Sequence, residues 1–170
     1  MEDLCSRLAT DLDGSFPDVV ICFQDEIYSG LRSLAGAEAE DLAQETFIRA
    51  YRALRGYEAD RIRQLRLRGW IWTIALNLGR NHARDRARRP LLLALDNDIG
   101  ANDPEPPDLD AWQRRLGILA PAMRKAVVLR HVVGLSYDDI ATALDRPEGT
   151  VKADVHRALD RLRKAMESEK

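Results

Sequence analysis

The sequence predicts an all-α protein, with two small helical domains joined by an extended acidic linker. Apolar residues recur at three- and four-residue steps through both halves, and no segment alternates with the two-residue period of a strand. Between the halves, one stretch of about twenty residues is proline-rich and acidic and carries no stripe. The 170 residues give room for one ordinary domain or two small ones.

Residues 1–15 read as an N-terminal extension, and residues 16–90 as the first, three-helix domain. Phe16, Val19, Val20, Phe23, Ile27, Leu31 and Leu34 form the stripe of its first helix, and Gly36 breaks it. Leu42, Ala43, Phe47, Ala50, Tyr51 and Leu54 form the second stripe, ended by Gly56. Residues 57–68 read as a basic loop, followed by a third helix from about Gly69 to Arg88. Residues 91–110 hold three prolines and six acids, and as an extended linker could reach about 66 Å at ~3.3 Å per residue.

Residues 111–170 read as four helices, the first over Ala111–Leu119 and the second over Pro121–Val132, where proline suits a first helical position. Ser136 and Asp139 resemble a capping box opening the third. The turn Asp145–Gly149 precedes a fourth helix, expected to be capped by Thr150 and striped by Val151, Val155, Ala158, Leu162 and Ala165, with Leu159 on the same inward arc. Two short helices, a tight turn and a longer helix make a helix-turn-helix pattern.

The net charge of −2 hides an uneven distribution. Residues 1–60 carry a net −8, residues 61–90 a net +8, residues 91–110 a net −6 and residues 111–170 a net +4. Two basic blocks separated by an acidic one point to two polyanion-binding surfaces. On the fourth helix of the second half, Lys152, Ala153, His156 and Arg157 fall opposite the apolar arc, where a recognition helix carries its base-reading side chains.

On the basic helix of the first half, Arg80, Asn81, Arg84 and Arg88 lie within about 60° of Asn77. Guanidiniums grip phosphate, while amides and aromatic faces hold unstacked bases, a combination suited to melting DNA. Trp72 is either a base platform beside this ridge or a core residue; Trp70 and His82 read as packed inward. The second helix carries an acidic, amide-bearing face with Asp41, Gln44 and Glu45. Some of those acids serve the helix dipole, and the face also suits a basic protein partner.

Taken together, these motifs resemble bacterial sigma factors of the extracytoplasmic-function group. AEDLAQETFIRAYRAL (39–54) is similar to the family's polymerase-binding helix, and RGWIWTIALNLGRNHARDRARR to its minus-ten helix. GLSYDDIATALDRPEGTVKADVHRALDRLRKAM is similar to the helix-turn-helix that reads the minus-thirty-five element. The resemblance implies a transcription initiation factor that binds core RNA polymerase, with Asp41, Gln44 and Glu45 docking on the clamp helices of the largest subunit and the flap as a further polymerase contact. It implies minus-ten contacts by Trp72, Asn77, Arg80, Asn81, Arg84 and Arg88, with Asn77 lining a pocket for a flipped base chosen partly by the loop 57–68. It implies minus-thirty-five contacts by Thr150, Lys152, Ala153, His156 and Arg157, a linker threading the polymerase cleft, and an anti-sigma factor as a further partner.

The chain departs from the family's pattern at Asn81, where aspartate is common, at Ala153–Asp154 in place of Ser-Arg, and at Asp145 in place of a helix-closing glycine. As a surface charge near phosphates, Asp154 is expected to weaken duplex binding, and Asp154→Arg to strengthen it.

Other classes fit less of the sequence. A sigma mimic that sequesters an anti-sigma factor would not need the Arg80/Arg84/Arg88 ridge, and a polymerase-independent helix-turn-helix regulator leaves the face at Asp41 unexplained. An enzyme is not expected: His82, His131 and His156 are scattered, and no nucleophile–base pair or glycine-rich phosphate loop occurs. Cys5 and Cys22 make neither a disulfide framework nor a metal site, so no metal and no cofactor is expected. The acidic N-terminus lacks a signal-peptide layout, and no apolar run is long enough for a membrane span, so the expected location is cytoplasmic.

Overall fold

The computed structural model describes residues 2–88 and 109–168. The linker reading over 91–110 therefore lies almost wholly outside the described residues. The described chain is helical throughout: α1 (Glu2–Thr10), α2 (Leu12–Ala35), a 3-10 turn (Gly36–Glu38), α3 (Ala39–Leu54), α4 (Ala59–Arg63) and α5 (Leu67–Arg88) in the first half. The second half holds α6 (Leu109–Gly117), α7 (Pro121–His131), α8 (Tyr137–Leu144) and α9 (Glu148–Ser168). Among the described residues no helix is long and apolar enough to cross a membrane.

The first half is larger than expected, because residues 1–15 are not an appendage. Leu4, Cys5 and Leu8 sit one helical turn apart on α1 and are buried, packed with α2 and α4. Asp11 then caps α2, accepting from the Gly14 N–H at 3.0 Å. The basic segment 57–68 also contains a helix: α4 buries Ile62 while Arg61 lies over the Tyr57 ring, 3.7 Å from its centroid. Gly36 ends α2 at φ 65°, a conformation glycine adopts without steric cost.

The second half forms the expected four helices. Pro121 opens α7. Ser136 caps α8, its Oγ accepting from the Asp139 N–H at 3.1 Å and donating to Asp139 Oδ2 at 2.6 Å. Asp145 takes the left-handed position after α8 at φ 51°; its N–H donates to Thr142 O and the Arg146 N–H to Ala141 O at 3.0 Å. This sharp stop, made with aspartate in place of glycine, aims α9. Because α9 begins at Glu148, Thr150 lies in its first turn and is not its cap.

The two halves do not stand apart. α8 lies along α5, and a single apolar cluster runs from Val19, Phe23 and Ile27 through Ile71, Trp72 and Ala75 to Val133, Leu135, Ile140 and Ala143. Two small residues permit the approach. A Cβ on Gly69 would lie 3.1 Å from the Asp139 carbonyl, and one on Gly30 would lie 2.4 Å from Trp72 and 2.7 Å from Val133. A smaller cluster around Leu116, Met123, Val128 and Leu162 closes the far end of the second half.

Candidate polymerase and DNA interfaces

The outer face of α3 is built by the stripe that buries its inner face. Leu42, Ala43, Thr46, Phe47, Ala50 and Leu54 turn inward, with the Thr46 hydroxyl donating to the Leu42 carbonyl at 2.6 Å. Their neighbours Asp41 and Gln44 are therefore exposed, and Glu45 is half-buried with its carboxylate on Arg49 Nε at 2.6 Å. Ile48, one turn beyond Gln44, is 45% exposed. An apolar side chain beside an amide and two acids gives this face a contact point that the charge pattern alone did not reveal.

On α5 the described part of the expected polar ridge is Asn77, Arg80 and Asn81. All three are exposed, and Arg80 Nη2 donates to Asn77 Oδ1 at 3.1 Å. The side chains of Arg84 and Arg88 lie outside the described residues. Of the two alternatives for Trp72 the structure takes the core one, while Trp70, expected to pack inward, does so only in part. Trp72 is 0% exposed, its indole N–H donating to Glu26 Oε1 at 2.9 Å, so it is a core residue here and offers no face to a base. Trp70 is only half-buried and tilts against Tyr57, with ring centroids 6.0 Å apart. His82, expected to pack inward, is exposed, its Nδ1 3.5 Å from Glu38.

Glu26 explains why Trp72 points inward. Its carboxylate also takes a fork from Arg68, whose Nε and Nη2 lie 2.8–3.0 Å from its oxygens. The same guanidinium crosses to the second half, donating to the Val133 carbonyl at 3.0 Å and to the Gly134 carbonyl at 3.4 Å. Arg66 pairs with Asp138 at the start of α8. That pairing, a hydrogen bond first of all, raises the Arg66 pKa above its ordinary value.

Further along α5, a cleft of about 640 Å³ between α2, α5 and α7 is lined by Leu31, Leu34 and Leu76, with Arg80, Arg124, Lys125 and the acid Glu38 as its charged residues. Burial, and secondarily the charge of Arg80, lowers the Lys125 pKa from its ordinary value.

On α9, Val151, Val155, Ala158 and Leu162 are buried and Lys152, Ala153, His156 and Arg157 are exposed; Thr150 is half-buried. The expected recognition face is therefore open to solvent even with the halves packed. Lys152 is held by Glu148 at 2.6 Å, and His156 Nδ1 lies 3.3 Å from Asp160. Leu159, expected among the inward residues, is 37% exposed.

Asp154 overturns its expectation. It is 4% exposed, with one oxygen on Arg146 of the turn and the other on Arg157 Nη2 at 2.8 Å. It repels no phosphate from the surface. Replacing it by arginine would press a third guanidinium against two others in a closed site, which is destabilising.

Among the described residues, no cluster of histidine, cysteine or acidic side chains could hold a metal ion. The sequence-predicted interface residues are instead on three helix faces: an acidic one on α3 bordered by Ile48, a basic and amide-bearing one on α5, and a basic one on α9.

Known proteins share this plan. The family description of sigma-70 region 2 matches residues 20–89, and that of sigma-70 region 4 matches residues 109–162. The chain is 35% identical over 150 residues to the RNA polymerase sigma-H factor of Pseudomonas aeruginosa, covering 76% of this chain and 74% of that one. It is 30% identical over 170 residues to the ECF RNA polymerase sigma factor SigW of Bacillus subtilis, covering 89% of each. The structure of CnrH in complex with the cytosolic domain of CnrY superposes with a TM-score of 0.75 at 21% identity, covering 99% of this chain and 98% of that one. The sigma factor RpoE of Bartonella quintana, solved with the anti-sigma factor NepR, superposes with a TM-score of 0.70 at 25% identity, covering 91% of this chain and 98% of that one.

Proposed function

The chain belongs to the extracytoplasmic-function group of sigma-70 factors, which direct RNA polymerase to promoters, and we propose that it divides that task among three exposed helix faces. Members of this family are transcription factors and not enzymes. The observation that carries the division is the inward packing of α3, α5 and α9 by their apolar stripes, which leaves the matching polar faces outside.

On α3, Asp41, Gln44 and Glu45, with Ile48 one turn beyond them, dock on the clamp helices of the largest polymerase subunit. Charge and amide groups set the register and the exposed isoleucine supplies desolvated contact area. A second polymerase contact falls at the far end, where the exposed Ile118 lies beside Arg114 and Arg115, and suits the flap.

On α5, Asn77, Arg80 and Asn81 face the minus-ten element. The amides reach the edges of an unpaired base, and Arg80, steadied by Asn77, neutralises phosphate. The aromatic surface available to an unstacked base is Trp70 with Tyr57, because Trp72 is sealed in the core.

On α9, Lys152, Ala153, His156 and Arg157 face the minus-thirty-five major groove, with Thr150 at the helix start. Ala153 is the small side chain that lets α9 sit deep or meet a thymine methyl.

The two promoter elements lie about 25 base pairs apart, hence about 85 Å at ~3.4 Å per pair. A compact chain of this length has a radius of gyration of about 16 Å, so halves packed through α5 and α8 fall short of that distance, and promoter binding requires α8 to leave α5. The packed arrangement also shapes the cleft between α2, α5 and α7. Its apolar walls, and three cations against the one acid Glu38, suit an acidic amphipathic helix of an anti-sigma factor, the class of partner carried by the solved RpoE relative. The protein acts in the cytoplasm, where core polymerase and promoter DNA meet.

The polymerase assignment is tested by capture of core polymerase on immobilised protein. Gln44→Ala/Glu45→Ala and Ile48→Glu should each reduce recovery at least fivefold with unchanged thermal stability. Equal recovery by all three proteins sinks the α3 assignment.

A further inference from the structure

Among the described residues Asp154 is the only charged side chain in the buried set. An ionised carboxylate taken out of water is costly unless it is paired and hydrogen-bonded. Here both oxygens are used: Oδ2 accepts from Arg146 Nη1, and Oδ1 accepts from Arg157 Nη2 at 2.8 Å. Arg157 is further fixed by its Nε donating to the Ala153 carbonyl at 3.2 Å.

The two arginines come from different places. Arg146 lies in the turn, just past the left-handed Asp145. Arg157 lies on the open face of α9, two turns in. Their side chains remain 35% and 57% exposed, so the carboxylate holds them from below while their outer edges meet solvent. A guanidinium has five N–H donors, and the recorded bonds use one nitrogen of Arg146 and two of Arg157. Donors remain on both for an outside acceptor.

We propose that Asp154 is a positioning residue for duplex binding, presenting Arg146 and Arg157 as a fixed pair of grips for DNA backbone phosphates, with Arg146 a contact added to the face of Lys152, Ala153, His156 and Arg157. The proposal rests on the assignment of α9 as the recognition helix. An arginine loses much rotamer freedom when it binds a phosphate, and a side chain already held in place loses less. The buried negative charge thereby strengthens binding to a polyanion, the reverse of its effect at the surface.

That reversal supplies the test. The full-length protein is titrated with a fluorescent 30-base-pair duplex of random sequence, by anisotropy, across a potassium chloride series from about 50 to 250 mM. Arg146→Ala should weaken binding and lower the slope of log K against log salt by about 0.9, the share of one phosphate contact. Asp154→Asn removes a negative charge yet should also weaken binding several-fold. Combined with Arg146→Ala it should cost little more than Arg146→Ala alone. Circular dichroism melts identify temperatures at which every variant is folded.

Tighter binding by Asp154→Asn, or unchanged affinity with only a lower melting temperature, overturns the positioning role. If Asp154→Asn does not fold, Arg146→Ala alone decides: an unchanged salt slope rejects the added contact. Wild-type protein that ignores the duplex at low salt overturns instead the recognition-helix assignment beneath the proposal, since that face is open in this structure.

Discussion

Replacing Trp72 separates a core residue from a base platform. The indole is fully buried, and its N–H is bonded to a Glu26 oxygen at 2.9 Å. A buried tryptophan covers roughly 150–250 Å², and truncation to alanine at such sites costs about 3–5 kcal/mol. Trp72→Phe is the more informative change. It keeps most of the apolar contact but removes the indole N–H, a bond worth about 1 kcal/mol net and up to about 3 kcal/mol when the acceptor is charged. Glu26 keeps its fork from Arg68, which limits that loss, so the expected cost with the small cavity is about 1.5–2.5 kcal/mol. At an m-value of about 2 kcal/mol/M the urea midpoint should fall by about 1 M. Trp70→Phe, at a half-buried position against Tyr57, should move it by less than about 0.4 M. Urea titration followed by far-ultraviolet circular dichroism measures both. A Trp72→Phe midpoint within about 0.2 M of wild type would refute the reasoning from burial.

Two other substitutions probe the join and the turn. Gly69→Leu places a side chain where even a Cβ lies 3.1 Å from the Asp139 carbonyl, so it should push α8 from α5. Small-angle scattering should then show the radius of gyration rising above about 16 Å, the value for a compact chain of this length; an unchanged radius refutes the steric argument. Asp145→Gly relieves a left-handed aspartate at φ 51° and should raise stability by about 0.5–1 kcal/mol in a urea titration, whereas a loss would mean that the aspartate side chain itself supports the turn.

How much of this was legible depended on whether a residue's environment is local. The stripes of α2, α3 and α9 and the Ser136 cap follow from spacing within one helix, and they form as read except at Leu159, which turns outward. Trp72 was ambiguous because α5 buries two adjoining arcs, one against α2 and α3 and one against α8, and a wheel drawn for one partner does not reveal the second. The role of Asp154 depends on Arg146, eight residues back across a turn, a pairing visible only once α9 is aimed. The helix α1 carried its own signal in Leu4, Cys5 and Leu8, but a nine-residue helix is marginal alone and becomes stable through packing on α2 and α4. Ile48 had no signal beyond an apolar residue out of phase with its stripe. The closed arrangement of the halves was not legible at all, since it depends on close approach at Gly30 and Gly69.

Run-off transcription tests the central claim most directly. Core polymerase is supplied with a genomic fragment library, with and without this protein. The account predicts discrete transcripts that appear only with the protein and share elements near minus ten and minus thirty-five, and that are lost when Asn77 and Arg80 are both replaced by alanine. Well-folded protein that binds core polymerase yet yields no new transcript would contradict it.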